Sequence, residues 1–305
     1  FVFAAQMLNF AIPGTGSSGH IGGALLLAVL LGPEAAFIVM ASILAVQALF
    51  FADGGLLALG CNLFNLGFIP AFFAYPFVYR KIVRDGTSLT AGRVFAGSLL
   101  AAVVGLGLGA FAVVLETTAS GVTELPFGTF VLLMQPIHLA IGVVEGLVTA
   151  AVLLFVYRAQ PGLLARNAAG TSLRGVRLKP VLIGLGIAAV VAGAALSWFA
   201  ATSADGLEWS VARTAGGADL STTSSAHETA AEVQQGTTVL PDYAFGQGDE
   251  PVGEVDGEEG RAWPAVDPGT SMSGLVGGAL VAGSVILLGV VLRRRSVRRR
   301  AGARP

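Results

Sequence analysis

Charged side chains are scarce in this chain of 305 residues, at 12% where a soluble domain carries about a quarter. Beside 54% apolar residues and a mean hydropathy of +0.76, that deficit excludes an ordinary water-soluble domain. It also excludes disorder as the main state, because a solvated chain does not carry so much apolar surface. Cysteine is nearly absent: Cys61 alone rules out a disulfide framework and any multi-cysteine metal site. Histidine is rare, at positions 20, 138 and 227. A Walker-type phosphate loop, a nucleotide-binding fold and a basic surface for nucleic acid are all missing. If such a protein moves anything uphill, the energy comes from an ion gradient or from a separate ATPase.

What the chain does have is long apolar runs. Residues 34–52, 61–79, 94–115, 130–157, 181–201 and 275–292 each approach or exceed the length that crosses about 30 Å of hydrocarbon as helix. Two shorter runs come first. The run 1–12 would be roughly 18 Å long as helix and is read as the second half of a span that begins before Phe1. It has neither the basic stretch nor the cleavage site of a signal peptide. The loop PGTGSSG at 13–19 and His20 separate it from the run 21–31, which Gly32-Pro33 stops. Pro33 and Glu34 suit the start of the next helix. The expected fold class is all-α: a polytopic helical membrane protein with about six full or partial spans. A C-terminal two-helix module with an external acidic loop completes it.

Charge placement sets the expected orientation. Sixteen of the 18 basic residues lie in 80–93, 158–179 and 293–304, and helix parity puts all three segments on one side. Lys and Arg mark cytoplasmic loops, so that side is expected inside, with the C-terminus. The stretch 203–272 holds 13 acids against Arg213 and Arg261 and is expected outside, with the loops at 13–20 and 53–60.

Few residues have chemistry to offer. His20 ends a Gly/Ser loop and begins a helix, so it reads either as a metal ligand or as a capping, interfacial histidine; the residues alone favour the second reading. His138 and Glu145, two turns apart, share one helix face with Gln135. A carboxylate in mid-membrane is a functional-site hypothesis, yet Gly142 and Gly146 at small-xxx-small spacing favour a structural polar clamp. Asn62 and Asn65, one turn apart, read as hydrogen-bonding glue between helices. Cys61 reads as a small buried apolar residue and His227 as solvated. The Arg run at 293–300 reads first as a stop-transfer anchor at the lipid bilayer and second as a contact for anionic lipid. GSSG at 16–19 raises a rival, an intramembrane serine protease with Ser17 or Ser18 as nucleophile, although Gly and Ser suit any tight loop.

Several strings together resemble one family. FAAQMLNFAIPGTGSSGHIGGALLLAVLLGP (3–33), VQALFFADGGLLALGCNLFNLG (46–67) and HLAIGVVEGLVTAAVL (138–153) resemble the CbiM/NikM substrate-binding subunits of cobalt and nickel energy-coupling-factor transporters. SADGLEWS (203–210) resembles the PDGLE signature of the small accessory subunit, here fused behind, and LPDYAFG (240–246) its second motif. The resemblance implies a metal-binding transmembrane domain over 1–158, a basic cytoplasmic linker over 159–179, an accessory domain over 180–292 with its external loop 203–272, and a basic tail over 293–305. It implies a subunit that is not an enzyme and binds no permanent cofactor. Such a subunit captures Ni2+ or Co2+ at the bacterial cytoplasmic membrane, in the cobalt case to supply cobalamin biosynthesis. Its partners would be a transmembrane scaffold subunit and two cytoplasmic ATPases, with no nucleic acid. A non-transporting structural subunit is the further alternative. In the family the ion is held by an N-terminal Met amine, the histidine after it and the histidine of the SGH loop. Only the last has a counterpart here, His20, which the resemblance turns into a ligand; the other ligands are expected from residues before Phe1. Asn9, Asn62, Asn65, His138, Glu145, Asp205 and Glu208 are the polar candidates around it. The family pattern is departed from at Ala204, where proline is usual, and in the loop, which commonly reads NFPVPGGTSGH.

Overall fold

Backbone groups in hydrocarbon must bond within their own segment, so apolar runs of this length become helices. The computed structural model describes residues 1–83, 89–121, 125–171, 175–216, 224–245 and 264–302. It opens on a short helix, α1 (Val2–Gln6), followed by a hairpin of β1 (Phe10–Ile12) and β2 (Ser17–Gly19). Then come α2 (Ala24–Leu31), α3 (Pro33–Phe50), α4 (Leu56–Val83), α5 (Ala91–Ser120) and α6 (Phe127–Ala159). Short α7 (Pro161–Ala168) leads to α8 (Lys179–Ala194), α9 (Gly206–Ala215), α10 (Ser225–Thr237) and α11 (Pro268–Gly302). Among the described residues, α3, α4, α5, α6 and α11 are long and apolar enough to cross a membrane, and α8 is a shorter apolar helix. The fold is that of a helical, multi-pass membrane protein.

Small residues set the closest packing. On α5, Gly97, Ala101, Gly105 and Gly109 recur every four residues and are buried. A Cβ at Gly109 would come within 2.9 Å of the Asn65 carbonyl on α4. From α6, Gly142 and Gly146 meet the α5 backbone at Val103 and Leu99, where an added Cβ would lie 2.9 and 2.7 Å from their Cα atoms. The anticipated small-xxx-small face is therefore the α5–α6 contact. Pro70 and Pro76 cannot donate in the usual pattern, and α4 widens into π-type turns over Leu63–Phe68 and Pro70–Tyr79. In the C-terminal pair, Trp198 Nε1 donates to Ser271 Oγ at 2.8 Å, and Ser271 Oγ donates to the Ala194 carbonyl at 2.7 Å.

Two expectations need correcting. The run 1–12 is helical only over Val2–Gln6 and then turns into the hairpin, because Gly14 and Gly16 take positive φ of 78° and 75° and Pro13 lacks a donor. The run 21–31 is helical only from Ala24: Gly23, at φ 82°, starts a helix of 8 residues, roughly 12 Å. Distant side chains cap this short helix at both ends. Asn167 on α7 donates to the Val29 carbonyl near its C-terminus, and Glu145 on α6 takes its first amides.

The acidic stretch 203–272 is also more than solvated chain. Its α9 lays Leu207 and Val211 against the Phe130–Met134 cluster of α5 and α6. Residues 217–223 and 246–263 of that stretch, with Gly246 of the second motif, lie outside the described residues, as do 303–305 of the basic tail.

Candidate metal site

Between β2 and α2 the chain runs non-helical through His20, Ile21, Gly22 and Gly23. Buried backbone groups in such a limb need partners from elsewhere. The Glu145 carboxylate, 2% exposed, accepts the Gly22 amide at 2.9 Å through Oε2 and the Gly23 amide at 3.0 Å through Oε1. Gln6 Nε2 donates to the Gly22 carbonyl at 2.8 Å, and Gln47 Nε2 donates to Gln6 Oε1 at 3.1 Å. The limb is thus held from α6 on one side and from α1 and α3 on the other.

His20 is half-buried at the head of this limb. Its Nδ1 lies 3.2 Å from the Ile21 carbonyl. A carbonyl oxygen only accepts, so Nδ1 carries the hydrogen, and in the neutral ring Nε2 is the nitrogen left with a lone pair. A ring N–H committed to a backbone carbonyl is the usual arrangement of a metal-ligating imidazole. His138 has the same form, with Nδ1 at 2.8 Å from the Met134 carbonyl. Glu145 and His138 serve different neighbours: the first takes the amides at the start of α2, and the second faces the start of α9. Gly206 makes that approach possible, since a Cβ there would lie 2.6 Å from Ile137 Cγ2 and 3.4 Å from His138 Cε1. Among the described residues no three of His, Cys, Asp and Glu converge into a metal cage.

Both motifs of the accessory domain reach this region. Ser18 of β2 forms a parallel bridge with Asp205. Its amide donates to the Ala204 carbonyl at 2.8 Å and its hydroxyl to the Ser203 carbonyl at 2.7 Å. Ala204 contributes a carbonyl that proline would also have, so the departure from the family motif spares this contact. Asp205 Oδ1 accepts the Glu208 amide at 2.8 Å and caps α9. Glu208 is raised above the usual carboxylate range by burial, then by the Asp205 charge. In the second motif, Val239 and Leu240 donate to the Phe50 carbonyl at 3.0 and 3.2 Å, and Asp242 to that of Phe51 at 2.9 Å. The Tyr243 ring stacks on Phe51 with centroids 4.9 Å apart, and its hydroxyl donates to Asp53 Oδ2. Asp242 and Tyr243 hold positive φ of 48° and 62°, a strain that docking over-determines. Burial, then Asp53, raises the Asp242 carboxyl, and the same two causes keep the Tyr243 proton on its oxygen.

The remaining candidates lie apart from His20. Asn65 Nδ2 donates to Glu116 Oε2 on α5 at 2.8 Å, the interhelical bond expected of it, and its buried Oδ1 has no partner among the described residues. The Asn62 amide sits beside Gly54. Asn9 takes part through its carbonyl, which accepts the Ala201 amide at 2.8 Å. Cys61 is exposed rather than buried, because its helix position faces away from the bundle. His227 is exposed in the first turn of α10. Ser17 and Ser18 are buried, and their hydroxyls bond Thr15 and backbone carbonyls; among the described residues neither meets a histidine or carboxylate. Among the described residues, neither Ser17 nor Ser18 thus has a base to activate it. Sequence reasoning passed over Gln6, Gln47 and Tyr243. A lone amide in an apolar run was the available signal for the two glutamines.

Comparisons with known proteins place this arrangement. The cobalt uptake substrate-specific transmembrane region family, CbiM, matches residues 1–163, and the PDGLE domain matches residues 179–294. A putative fused nickel transport protein NikMN of Archaeoglobus fulgidus is 39% identical over 170 residues, 55% of this chain and 54% of that one. A fused nickel transport protein NikMN of Rhodobacter capsulatus is 34% identical over 225 residues, 68% of this chain and 61% of that one. A cobalt transport protein CbiM of Sorangium cellulosum is 32% identical over 179 residues, 59% of this chain and 76% of that one. The chain spans about half the length of the Archaeoglobus relative. A matched transmembrane region covering more than half the chain, followed by a matched accessory domain whose first motif docks on its SGH loop and whose second docks on the end of α3, makes the chain a member of the CbiM family with a PDGLE domain fused behind it.

Proposed function

We propose that this chain is the substrate-capture component of an uptake system for Ni2+ or Co2+ across a bacterial cytoplasmic membrane. The observation that carries the reading is His20: an imidazole whose Nδ1 is committed to a carbonyl and whose Nε2 hydrogen-bonds no described residue, on a limb fixed by Glu145 and Gln6. One imidazole is not a site, so residues preceding Phe1 in the full-length protein supply the other ligands. Nitrogen ligation suits nickel, with cobalt close behind in the affinity series, and does not suit calcium or magnesium. The ion is cargo, taken from the hairpin side and released inward. The sequence has no phosphate-binding loop, so separate cytoplasmic ATPases and a transmembrane scaffold subunit drive the cycle. A cobalt substrate would feed cobalamin biosynthesis.

Uptake of radioactive nickel and cobalt into cells expressing the full-length protein with its partner subunits tests this. Saturable uptake of one or both ions, abolished by His20→Ala while the protein still reaches the membrane, is expected. No uptake of either ion overturns the proposal and leaves a structural subunit; uptake untouched by His20→Ala overturns the ligand role of His20 that carries it.

A further inference from the structure

A cavity of about 550 Å3 opens along one face of α6, far from the His20 limb, where Ala151, Leu154, Phe155, Arg158 and Ala159 follow one another at helical spacing. Arg158, in the last turn of the helix, is roughly 25 Å along α6 from Ile141, on which Gly19 of the hairpin sits. Phe155 also meets the accessory domain: a Cβ on Gly184 would overlap its ring, so a glycine lets α8 come up against this face. The walls are apolar apart from Arg158. Beyond α6 the chain turns back, because Gln160 Nε2 donates to the Arg177 carbonyl at 3.0 Å, and Lys179 follows as the first residue of α8. Nothing in the sequence offsets these cations, since no Asp or Glu occurs between Glu145 and Asp205. Arg158, Arg177 and Lys179 are exposed and form no ion pair with a described residue. An apolar face alone suits any lipid chain. An apolar slot that ends in uncompensated cations suits a molecule with an apolar body and an anionic head.

We propose that this cavity is a binding site for an anionic phospholipid. An acyl chain lies along Ala151, Leu154 and Phe155, and the phosphate meets Arg158, with Arg177 and Lys179 at the rim. The guanidinium of Arg158 can fork onto two phosphate oxygens while its methylene stem stays against the apolar wall. The site is independent of His20 and of the transported ion. Its place gives it a structural consequence: a lipid seated beside the contact of Phe155 with Gly184 joins α6 of the first module to α8 of the accessory domain, at the end of α6 remote from the hairpin.

The test uses the full-length protein in a neutral detergent, titrated with short-chain phosphatidylglycerol or phosphatidylcholine, with bound lipid counted by native mass spectrometry. Phosphatidylglycerol should bind in preference to phosphatidylcholine, and excess inorganic phosphate should not displace it. Arg158→Gln removes the phosphate partner and Ala151→Trp fills the slot; both positions are exposed, so neither variant disturbs the core. Arg158→Gln should weaken phosphatidylglycerol binding at least about 5-fold, the share of one basic residue near an anionic head, and Ala151→Trp should abolish it. Arg294→Gln removes the same charge from the basic end of α11 and should leave binding unchanged. An equal loss in Arg294→Gln marks a general attraction of the basic face and overturns the site. Equal binding of the two lipids overturns it too, as does wild-type binding in Arg158→Gln or in Ala151→Trp. Displacement by phosphate would make the site one for a free anion. If Ala151→Trp keeps the lipid but loses a co-purifying scaffold subunit, the cavity belongs to a partner helix and the proposal falls.

Discussion

At the scale of single residues, Glu145 bears the most structural consequence. Its two oxygens take two amides that no helix partner can reach, deep in an apolar bundle. Glu145→Ala leaves both amides unsatisfied, at about 1–3 kcal/mol each, and Glu145→Gln, with a single acceptor oxygen, loses roughly half of that. Thermal unfolding in detergent should rank wild type above Gln and Gln above Ala; equal midpoints would show that the cap contributes nothing. Asp242 makes a prediction of the opposite character. Its carboxyl is raised by burial and by Asp53, so the folded state holds a proton that the unfolded state has released. Stability therefore falls as pH rises from the ordinary carboxylate value through the raised one, and is flat on either side. Asp242→Asn should remove its share of that slope in unfolding curves recorded across the window; an unchanged slope would assign the dependence to Glu208, which is shifted the same way.

Among the elements, the α5–α6 contact is set by atoms that are not there. Gly146→Ala would place a methyl 2.7 Å from Leu99 Cα, a backbone atom that cannot swing aside. Separating the helices should cost about 1–3 kcal/mol. Gly278→Ala on α11 meets nothing within 4 Å and should be neutral or slightly stabilising. Unfolding midpoints of the two variants decide the matter, and a harmless Gly146→Ala would mean that the helices can part freely. This contact was legible in advance, because small residues at four-residue spacing have one face whatever else is present. So were α3, α4, α5, α6 and α11, whose apolar length leaves no alternative to helix. The broken entry to α2 was not legible. Run 21–31 is uniformly apolar, and the group that ends its helix at Ala24 is a carboxylate 122 residues away. His20 could be singled out from the loop and the resemblance, but the tautomer that leaves Nε2 its lone pair could not, since a neighbouring carbonyl settles it only in three dimensions. The docking of α9 was missed for a related reason: its polar composition hides a short stripe, Leu207 and Val211, that counts only against the face it meets.

On the scale of the whole molecule, two modules meet along a path that closes on one region. The first module brings the hairpin, His20 and Asp53; the second brings Asp205 to Ser18 and Tyr243 to Asp53. If the basic segments 80–93, 158–179 and 293–304 face the cytoplasm, this meeting region faces outward, where an ion would first arrive, and a covering domain there can act only on capture. With the opposite orientation the same contacts would control release. The two cases separate in intact cells expressing the full-length protein with Cys61 replaced by Ser. A cysteine in place of Thr229, exposed on α10, should react with a membrane-impermeant maleimide without permeabilisation. A cysteine in place of Ala169, exposed just after α7 in the basic linker, should react only once the membrane is opened. The reverse pattern would turn the molecule over, place His20 on the cytoplasmic side, and make the accessory contacts a device for letting the ion go.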